Sequence, residues 1–494
     1  MQRQLGRLLD TQRQCIRKAV DNRYQGYLVD KVEIVHLYDV PHLFKGFKNG
    51  LLKADLHFVQ DGVRKVASWD HLVQLYRIDS NMARFSLICK LTDEHVLASK
   101  LKKMSVKHCT QVFSRTVASA MKVRAEMSVD LNQSSAHYLD PKATETADLF
   151  LFLDELFDSL NGSQIAVHPG KPMRSVVTQK SNHVSFWVSV ALPLLKSMSF
   201  SNSTVTPSIK HLVFTLRGFL YIWNDLRGKN FKYIAPRSFN QDPVENFFSC
   251  IRSHGARNTR PNCSAFMSSA KSLLIDGFVS SHCLGANCEP DESTGILANL
   301  KSFVETRSAP LSAEHLRVPV ATYSTPEGLV CNNPHDFATP YVAGVVARKI
   351  LSQVECNNCR KIIESLEDDP HNILIKHREY IMRERHLMYP STTFFIAYRH
   401  IANVIFFLLP KFITAYGIRK KIIDHLRTEE DIGYVFCAEH EANTYLMYKV
   451  CTNVILFGYM SKVIRILSGR DFRHKDDDQV TRLAFSKFST KRGY

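Results

Sequence analysis

The 494-residue chain lacks any uninterrupted apolar run of the roughly 18 residues that a membrane-spanning helix needs. Its nearest run, residues 401–409, is ended by Pro410 and Lys411. Residues 1–20 carry charges throughout and therefore lack the apolar segment of a signal peptide. The 12 cysteines are scattered and do not form the dense framework of a small secreted protein. These absences predict no membrane partner, and reduced thiols in the cytosol or nucleus.

The charge of the chain is unbalanced, since 64 Lys and Arg against 47 Asp and Glu give a formal net charge of +17. Such a surplus favours a polyanionic partner, but it does not distinguish DNA from RNA or from a membrane surface. A solvated basic surface without a partner is an equally good interpretation. With 45% hydrophobic and 22% charged residues, the composition excludes a wholly disordered chain.

Hydrophobic periodicity indicates a mainly helical chain with a few strands. Residues 31–39 alternate and are rich in β-branched side chains, which predicts a strand with Asp39 at its end. Pro243 is typical of a first helical turn, with Asp242 as its N-cap and Glu245 on the helix. We further predict helices over residues 1–25, 42–52, most of 70–125, 145–161 and 183–230, a polar loop over 162–182, a linker over 285–335, a helical region over 336–470 and a loose charged tail from 471.

Asp39 and Glu245 are acids of the kind that two-metal nucleic-acid chemistry requires. Carboxylates from separate elements can hold two Mg²⁺ ions about 3.5–4 Å apart, which activate a nucleophile and stabilise the leaving oxygen. His42, one turn after Asp39, could approach such a metal or DNA. Without further information the plainer interpretation is favoured, in which Asp39 caps a turn, Glu245 is solvated and His42 packs or caps.

The residues around these acids carry a family resemblance. Residues 39–49 (DVPHLFKGFKN) resemble the D-x-P-H-L-x-K-x-x-x-N segment of P-element transposases and their THAP-domain vertebrate relatives. Four further blocks resemble the same family in the same order: 103–114 (KMSVKHCTQVFS), 156–161 (LFDSLN), 240–248 (NQDPVENFF) with Ile251 and Arg252, and 341–344 (YVAG) followed by Cys356-x-x-Cys359. Each block is weak alone, but five in order are specific.

The resemblance implies an α/β plus α fold, in which an incomplete RNase H-like core is interrupted by a large, mainly helical insertion that binds GTP. Asp39 would be the second catalytic Asp and Glu245 the catalytic Glu, 206 positions apart (245 − 39). The domains expected on this basis are the first part of the core, 1–74; the GTP-binding insertion, 75–240; the second part of the core, 241–284; the linker, 285–335; the helical C-terminal domain with a candidate zinc site, 336–470; and the tail, 471–494.

The purine site is also implied by the resemblance. Asp158 and Asn161 resemble the family's guanine-reading residues, and Asp242 matches an Asp of its GTP site. A carboxylate can accept from the purine N–H groups and an amide can donate to its acceptors. The chain has no G-x-x-x-x-G-K-[ST] phosphate loop, so GTP would bind a site of another kind. The alternative is a polar helix end at 158–161, with Asp242 acting only as a cap.

Two parts of the family pattern are not matched. The chain has no Cys and His set for the zinc-coordinating THAP module, and none of Asp10, Asp21 and Asp30 occupies the context of the first catalytic Asp. We therefore expect a family member truncated at its N-terminus that does not excise DNA alone, since one bridging carboxylate would be absent.

Two Cys-rich half-sites, Cys356-x-x-Cys359 and Cys437-x-x-His440, lie in the C-terminal region. Tetrahedral Zn²⁺ accepts a Cys₃His set, and a C-x-x-C spacing lets both sulfurs reach one ion. The 77 residues between the half-sites are many for a small finger. Buried thiols with an unrelated His are the alternative interpretation.

The helix after Glu245 carries Arg252, and the loop that follows carries Arg257 and Arg260. Arginine suits phosphate and base-edge contacts, so these three residues are candidate DNA contacts. A solvated basic loop is the alternative.

The sequence thus favours a P-element-type transposase that cleaves and transfers DNA strands with Mg²⁺ and uses GTP as a ligand. Its expected partner is the DNA of transposon ends, in the nucleus, with self-association as an option. The first alternative is a non-catalytic, transposase-derived DNA-binding or regulatory protein. The second is a zinc-organised helical interaction protein with no nucleic-acid role.

Overall fold

The structure is a computed structural model. It describes residues 14–15, 26–29, 32–81, 85–103, 105–167, 170–202, 207–253, 260–276, 336–365, 369–379, 385–412 and 417–467. The predicted linker and the charged tail lie outside the described residues. So does the predicted helix over 1–25, except for Gln14–Cys15, which instead pair with Tyr27 and Leu28 as a strand.

Helices dominate the described residues, and strands form three small sheets. The strands are β1 Gln14–Cys15, β2 Gly26–Val29, β3 Val32–Val35, β4 Leu56–Gln60, β5 Val63–Ala67, β6 Val177–Thr178, β7 Ser199–Phe200 and β8 Tyr233–Ile234. The sheet orders are β1-β2-β3, β5-β4-β7 and β6-β8, and the pairs whose register is defined are antiparallel.

The helices of the first part of the chain are α1 Val40–Leu51, α2 Trp69–Ser80, α3 Asp93–Val96, α4 Val106–Val112, α5 Arg115–Met127, α6 Ala143–Leu160, α7 His183–Phe186, α8 Leu192–Ser197, α9 Pro207–Gly228, α10 Asp242–Ser253 and α11 Cys263–Asp276. A π-helical turn, Trp187–Ala191, joins α7 to α8. The later helices are α12 Ala338–Leu351, α13 Asn357–Ile363, α14 Ile373–Arg378, α15 Thr392–Phe412, α16 Ile418–Glu429 and α17 Thr444–Leu467. Short 3₁₀ turns cover Pro172–Arg174, Pro236–Phe239, Pro370–Asn372, Gly433–Val435 and Ala438–Asn443.

The chain forms two compact units that alternate along the sequence. The first comprises Met1–Lys65, Lys102–Thr110 and Asp154–Arg317, and the second comprises Val66–Leu101, Gln111–Leu153 and Val318–Tyr494. The mainly helical fold with small sheets agrees with the expected class. The predicted domain boundaries and the incompleteness of the core stay predictions.

In the first unit, α1 packs against α9 around fully buried aromatic side chains such as Phe44 and Phe47. The expected strand does not reach Asp39, because β3 ends at Val35. The Tyr38 N–H instead donates to Thr215 Oγ1 (3.1 Å), and the Tyr38 ring stacks on a histidine of α9. This N–H is satisfied by a side chain and not by a strand, and Asp39 becomes the N-cap of α1.

In the second unit, α12, α15, α16 and α17 share one apolar core. Helix α15 is the one helix among the described residues that is long and apolar enough to cross a membrane. However, 56% of its most apolar stretch is buried inside the protein, and Phe394, Tyr398 and Leu408 are fully buried in this core. The hydropathy of α15 therefore matches that of a core helix.

Helix α12 approaches a neighbouring backbone closely at Gly344. A Cβ atom added there would lie 2.4 Å from the carbonyl oxygen of Met388. Only glycine allows this distance without displacing backbone atoms.

We expect Gly344→Ala to lower the free energy of unfolding by about 1–3 kcal/mol, because the methyl group overpacks against backbone. The matched control is Gly458→Ala in α17, where an added Cβ meets nothing within 4 Å. That change should be neutral or stabilise the protein by up to about 1 kcal/mol through helix propensity. Urea denaturation of the two variants measures the difference, and equal effects would contradict the close approach.

Candidate functional site

Asp39 is held by hydrogen bonds to both of its carboxylate oxygens. Oδ2 accepts from the backbone N–H of His42 (3.0 Å) and from the His42 ring nitrogen Nδ1, whereas Oδ1 accepts from the backbone N–H of Gln241 (2.8 Å). Asp39 therefore fixes the start of α1 and also the turn that leads into α10, which carries Glu245.

His42 lies between the two predicted catalytic acids. Its Nδ1 contacts Asp39 Oδ2, and its Nε2 lies 3.2 Å from Glu245 Oε1. Both ring nitrogens thus face carboxylate oxygens, an arrangement that is satisfied when both carry a proton. The structure brings Asp39 and Glu245 to one imidazole ring, although they are 206 positions apart in sequence.

The electrostatics of this group follow from its charges and burial. The hydrogen bond to Asp39 raises the pKa of His42 above its ordinary value, against burial and the nearby Lys45. Burial acts to raise the pKa of Asp39, but the hydrogen bonds from the His42 ring and the two backbone N–H groups outweigh it and leave that pKa below its ordinary value. The arrangement favours a charged His42 beside a charged Asp39.

The donor chemistry of this group suits a hard divalent cation. Mg²⁺ prefers carboxylate oxygens, and Asp39 and Glu245 supply them from two elements of one unit. The imidazole of His42 lies between these carboxylates, where its raised pKa favours a positive charge. Asp39 and Glu245 are therefore the residues that could hold a metal ion here.

A second polar group surrounds Asn240. Its Nδ2 donates to Asn161 Oδ1 (3.3 Å) and to Asp242 Oδ2 (3.1 Å), and its Oδ1 accepts from the Asp242 N–H (3.2 Å). Asn161 and Asp242 are 9% and 7% exposed, so these contacts satisfy nearly buried polar groups. Two of the residues predicted for purine binding thus lie on either side of Asn240. Asp242 is the first residue of α10 rather than its N-cap.

The third predicted purine residue, Asp158, lies on α6, just before Asn161. Lys171 Nζ lies 2.8 Å from Asp158 Oδ2 and 3.7 Å from Asp154 Oδ1. The loop that contains Lys171 is held to the end of α6, because Ser163 N–H donates to the Arg174 carbonyl (3.2 Å).

Sequence reasoning missed Asn240 and Lys171 as site residues. Asn240 begins the 240–248 block, so its position within that block was the available signal. The only available signal for Lys171 was its basic side chain in a polar loop.

The candidate DNA contacts are only partly described. Arg252 is exposed in the last turn of α10, and Arg260 is exposed shortly before α11. Arg257 lies outside the described residues. In the second unit, the ligand atoms of Cys356, Cys359, Cys437 and His440 all lie within 4.8 Å of one another.

Comparisons with known proteins agree with the sequence motifs. Residues 41–171 match the family model "TNP-like, GTP-binding insertion domain", and residues 238–269 match "TNP-like, RNase H C-terminal domain". The first match contains His42, Asp158 and Asn161, whereas the second contains Asp242 and Glu245.

One curated relative is a transposable element P transposase of Drosophila melanogaster, 26% identical over 291 residues, covering 53% of this chain. The chain spans about a third (33%) of the length of that relative. A solved structure, the Drosophila P element transposase strand transfer complex, is 21% identical and covers 50% of this chain and 53% of the matched chain, with a TM-score of 0.42.

The two domain matches thus assign residues 41–171 to a GTP-binding insertion domain and residues 238–269 to an RNase H C-terminal domain, both of the TNP-like type. Together with the curated relative, these matches support the resemblance to P-element transposases that the motifs predict.

The charged contact between Asp39 and His42 predicts a pH window for stability. The lowered pKa of Asp39 gives stability that is present above pH 3.8 and lost as the pH falls through the folded value. The raised pKa of His42 gives stability that is complete below pH 6.5 and lost as the pH rises through its folded value. We therefore expect His42→Gln to lower the melting temperature most between about pH 4 and 6.5, and less at alkaline pH. Thermal unfolding in EDTA, measured from about pH 4 to alkaline pH, gives the difference in melting temperature between the variant and the unaltered chain. A difference that does not depend on pH would contradict the charged contact.

Proposed function

We propose that the chain provides two carboxylates of a Mg²⁺ site for P-element-type cleavage and transfer of DNA strands. One observation carries the proposal. Asp39 and Glu245, from separate elements, converge on the single ring of His42. The match of residues 238–269 to an RNase H C-terminal domain supports the assignment of Glu245.

Asp39 and Glu245 would hold the metal ion, which, when bound, would activate the attacking hydroxyl and stabilise the leaving oxygen. The backbone N–H of Gln241 orients one oxygen of Asp39. His42, when charged, offsets the repulsion between the two acids and keeps them close in the absence of a cation.

An Asp-Asp-Glu site needs a third carboxylate, and we assign none of the described residues to that role. We therefore propose that the carboxylates bind a divalent cation but that the chain alone does not cleave DNA. The alternative is a DNA-binding regulator that binds no cation at this site. The net charge of +17 and the exposed Arg252 and Arg260 favour DNA binding in either case, and a nuclear location would follow from it.

The cation site can be tested with Mn²⁺, which is detectable by electron paramagnetic resonance. We expect Asp39→Asn and Glu245→Gln each to weaken Mn²⁺ binding at least about tenfold, because each removes one charged ligand. Asp39→Asn keeps an N-cap side chain, since Asn is as good an N-cap as Asp, but it removes the charged contact with His42. Thermal unfolding therefore first shows that each variant is folded at the temperature of the binding measurement. The matched control is Asp225→Asn, which changes an exposed carboxylate paired with Lys229.

The same proteins are incubated with supercoiled plasmid and Mg²⁺. Nicking by the unaltered chain that is lost in Asp39→Asn would overturn the proposal that the chain alone is inactive. Mn²⁺ binding that is insensitive to both substitutions would overturn the metal site and favour the regulator.

We also propose that GTP binds at Asp158, Asn161 and Asp242. The family match of residues 41–171 supports this, because it covers a GTP-binding insertion domain. The carboxylate of Asp158 would accept from the guanine N–H groups, in exchange for its contact with Lys171. The Nδ2 group of Asn161 would donate to the base, whereas its Oδ1 accepts from Asn240 Nδ2.

Replacing Asp158 by Asn should weaken GTP binding about 10- to 100-fold, because it removes a charged acceptor worth about 1.5–3 kcal/mol. It should also abolish any preference for GTP over ATP, because adenine lacks the same donors. Equilibrium dialysis with both nucleotides measures the two effects, with Asp225→Asn again as the control. Unchanged affinity and preference in Asp158→Asn would remove this residue from the site.

A further inference from the structure

Three thiols and one imidazole meet in the second unit, from segments that are far apart in sequence. The distances are 3.8 Å from Cys356 Sγ to Cys437 Sγ, 3.4 Å from Cys359 Sγ to Cys437 Sγ, and 3.2 Å from Cys437 Sγ to His440 Nδ1. Cys359 is fully buried, and the other three residues are partly buried. Between the two half-sites, the described residues form most of α13, followed by α14, α15 and α16.

These separations match the edges of a metal-centred tetrahedron. With Zn–S bonds of about 2.3 Å and Zn–N bonds of about 2.0–2.1 Å, tetrahedral angles place two sulfurs about 3.8 Å apart and a sulfur and a nitrogen about 3.6 Å apart. The observed distances lie within about 0.4 Å of these values. We infer that Cys356, Cys359, Cys437 and His440 bind one Zn²⁺ ion.

A disulfide is the competing explanation for neighbouring cysteines, but it would require a sulfur–sulfur distance of about 2.05 Å. All three cysteines are free thiols here.

The ligand set indicates a structural role for the ion. Four protein ligands complete a tetrahedral shell and leave no position for a substrate or water. The ion would fasten the start of α13 to the connection between α16 and α17. This connection also supplies Val435 and Phe436 to the core that contains Cys359. Since such a site does not exist in an unfolded chain, its binding energy adds to the stability of the folded unit.

The inference is independent of the proposed function, because none of the four ligands belongs to the carboxylate group or the purine group. A transposase-like protein without cleavage activity would still bind this ion.

The zinc content of the full chain tests the site. We expect about one Zn²⁺ per chain after purification with a thiol reductant in zinc-replete buffer, measured by plasma mass spectrometry. Cys356→Ser and His440→Ala should each reduce the content at least about fivefold at limiting zinc. His440→Cys should restore it, since a Cys₄ set also binds zinc. Cys263→Ser changes an exposed thiol outside the cluster and should leave the content at one.

A variant that does not fold gives no zinc content to compare with that of the unaltered chain. The metal of the unaltered chain is therefore also exchanged and removed. Replacement of Zn²⁺ by Co²⁺ should give the visible absorption of tetrahedral cobalt–thiolate coordination. A chelator should lower the unfolding temperature by at least about 5 °C, reversibly on adding zinc. A zinc content near zero in the reduced protein would overturn the inference. A disulfide among the three cysteines in freshly isolated protein would also overturn it, as would unchanged zinc in both Cys356→Ser and His440→Ala.

Discussion

The candidate active site depends on keeping two negatively charged side chains at one place. The ring of His42 contacts both Asp39 and Glu245, and its raised pKa favours the charged form that compensates for two carboxylates. The Asp39 side chain has only 6% of its surface exposed, whereas His42 and Glu245 are 40% and 35% exposed, so Asp39 depends most on its protein partners. Asp39 caps α1, and this helix places His42 one turn further on, where its ring contacts Glu245 of α10.

Much of the local structure could be predicted because it is encoded locally. Helix α6 was expected over 145–161 and spans Ala143–Leu160, since its apolar residues recur at helical spacing. The predicted end of the strand at Asp39 was wrong, because the strand ends at Val35. The Tyr38 N–H donates instead to Thr215, a residue 177 positions away. No local pattern reports such a contact.

In the candidate site, too, residues within a motif could be predicted, whereas contacts between distant elements could not. Motif resemblance selected Asp39, Glu245, Asn161 and Asp242, and the structure brings them into two neighbouring sets of hydrogen bonds. The roles of Asn240 and Lys171 could not be predicted, because each depends on a partner from another element. The four zinc-type ligands were selected by residue type and spacing, and Cys356 and Cys359 also by family resemblance. Neither signal could show that the two half-sites meet across a gap of 77 residues. The domain boundaries and the catalytic roles stay predictions.

The turn before α10 has a mechanical consequence. Asn240 is bonded to the end of α6 through Asn161, while the next residue along the chain, Gln241, gives its N–H to Asp39. Asn240 and Gln241 are neighbours, so the contact with the end of α6 and the contact with Asp39 are joined by one peptide unit. A displacement of Asn240 would therefore also displace the N–H group that orients the Asp39 carboxylate.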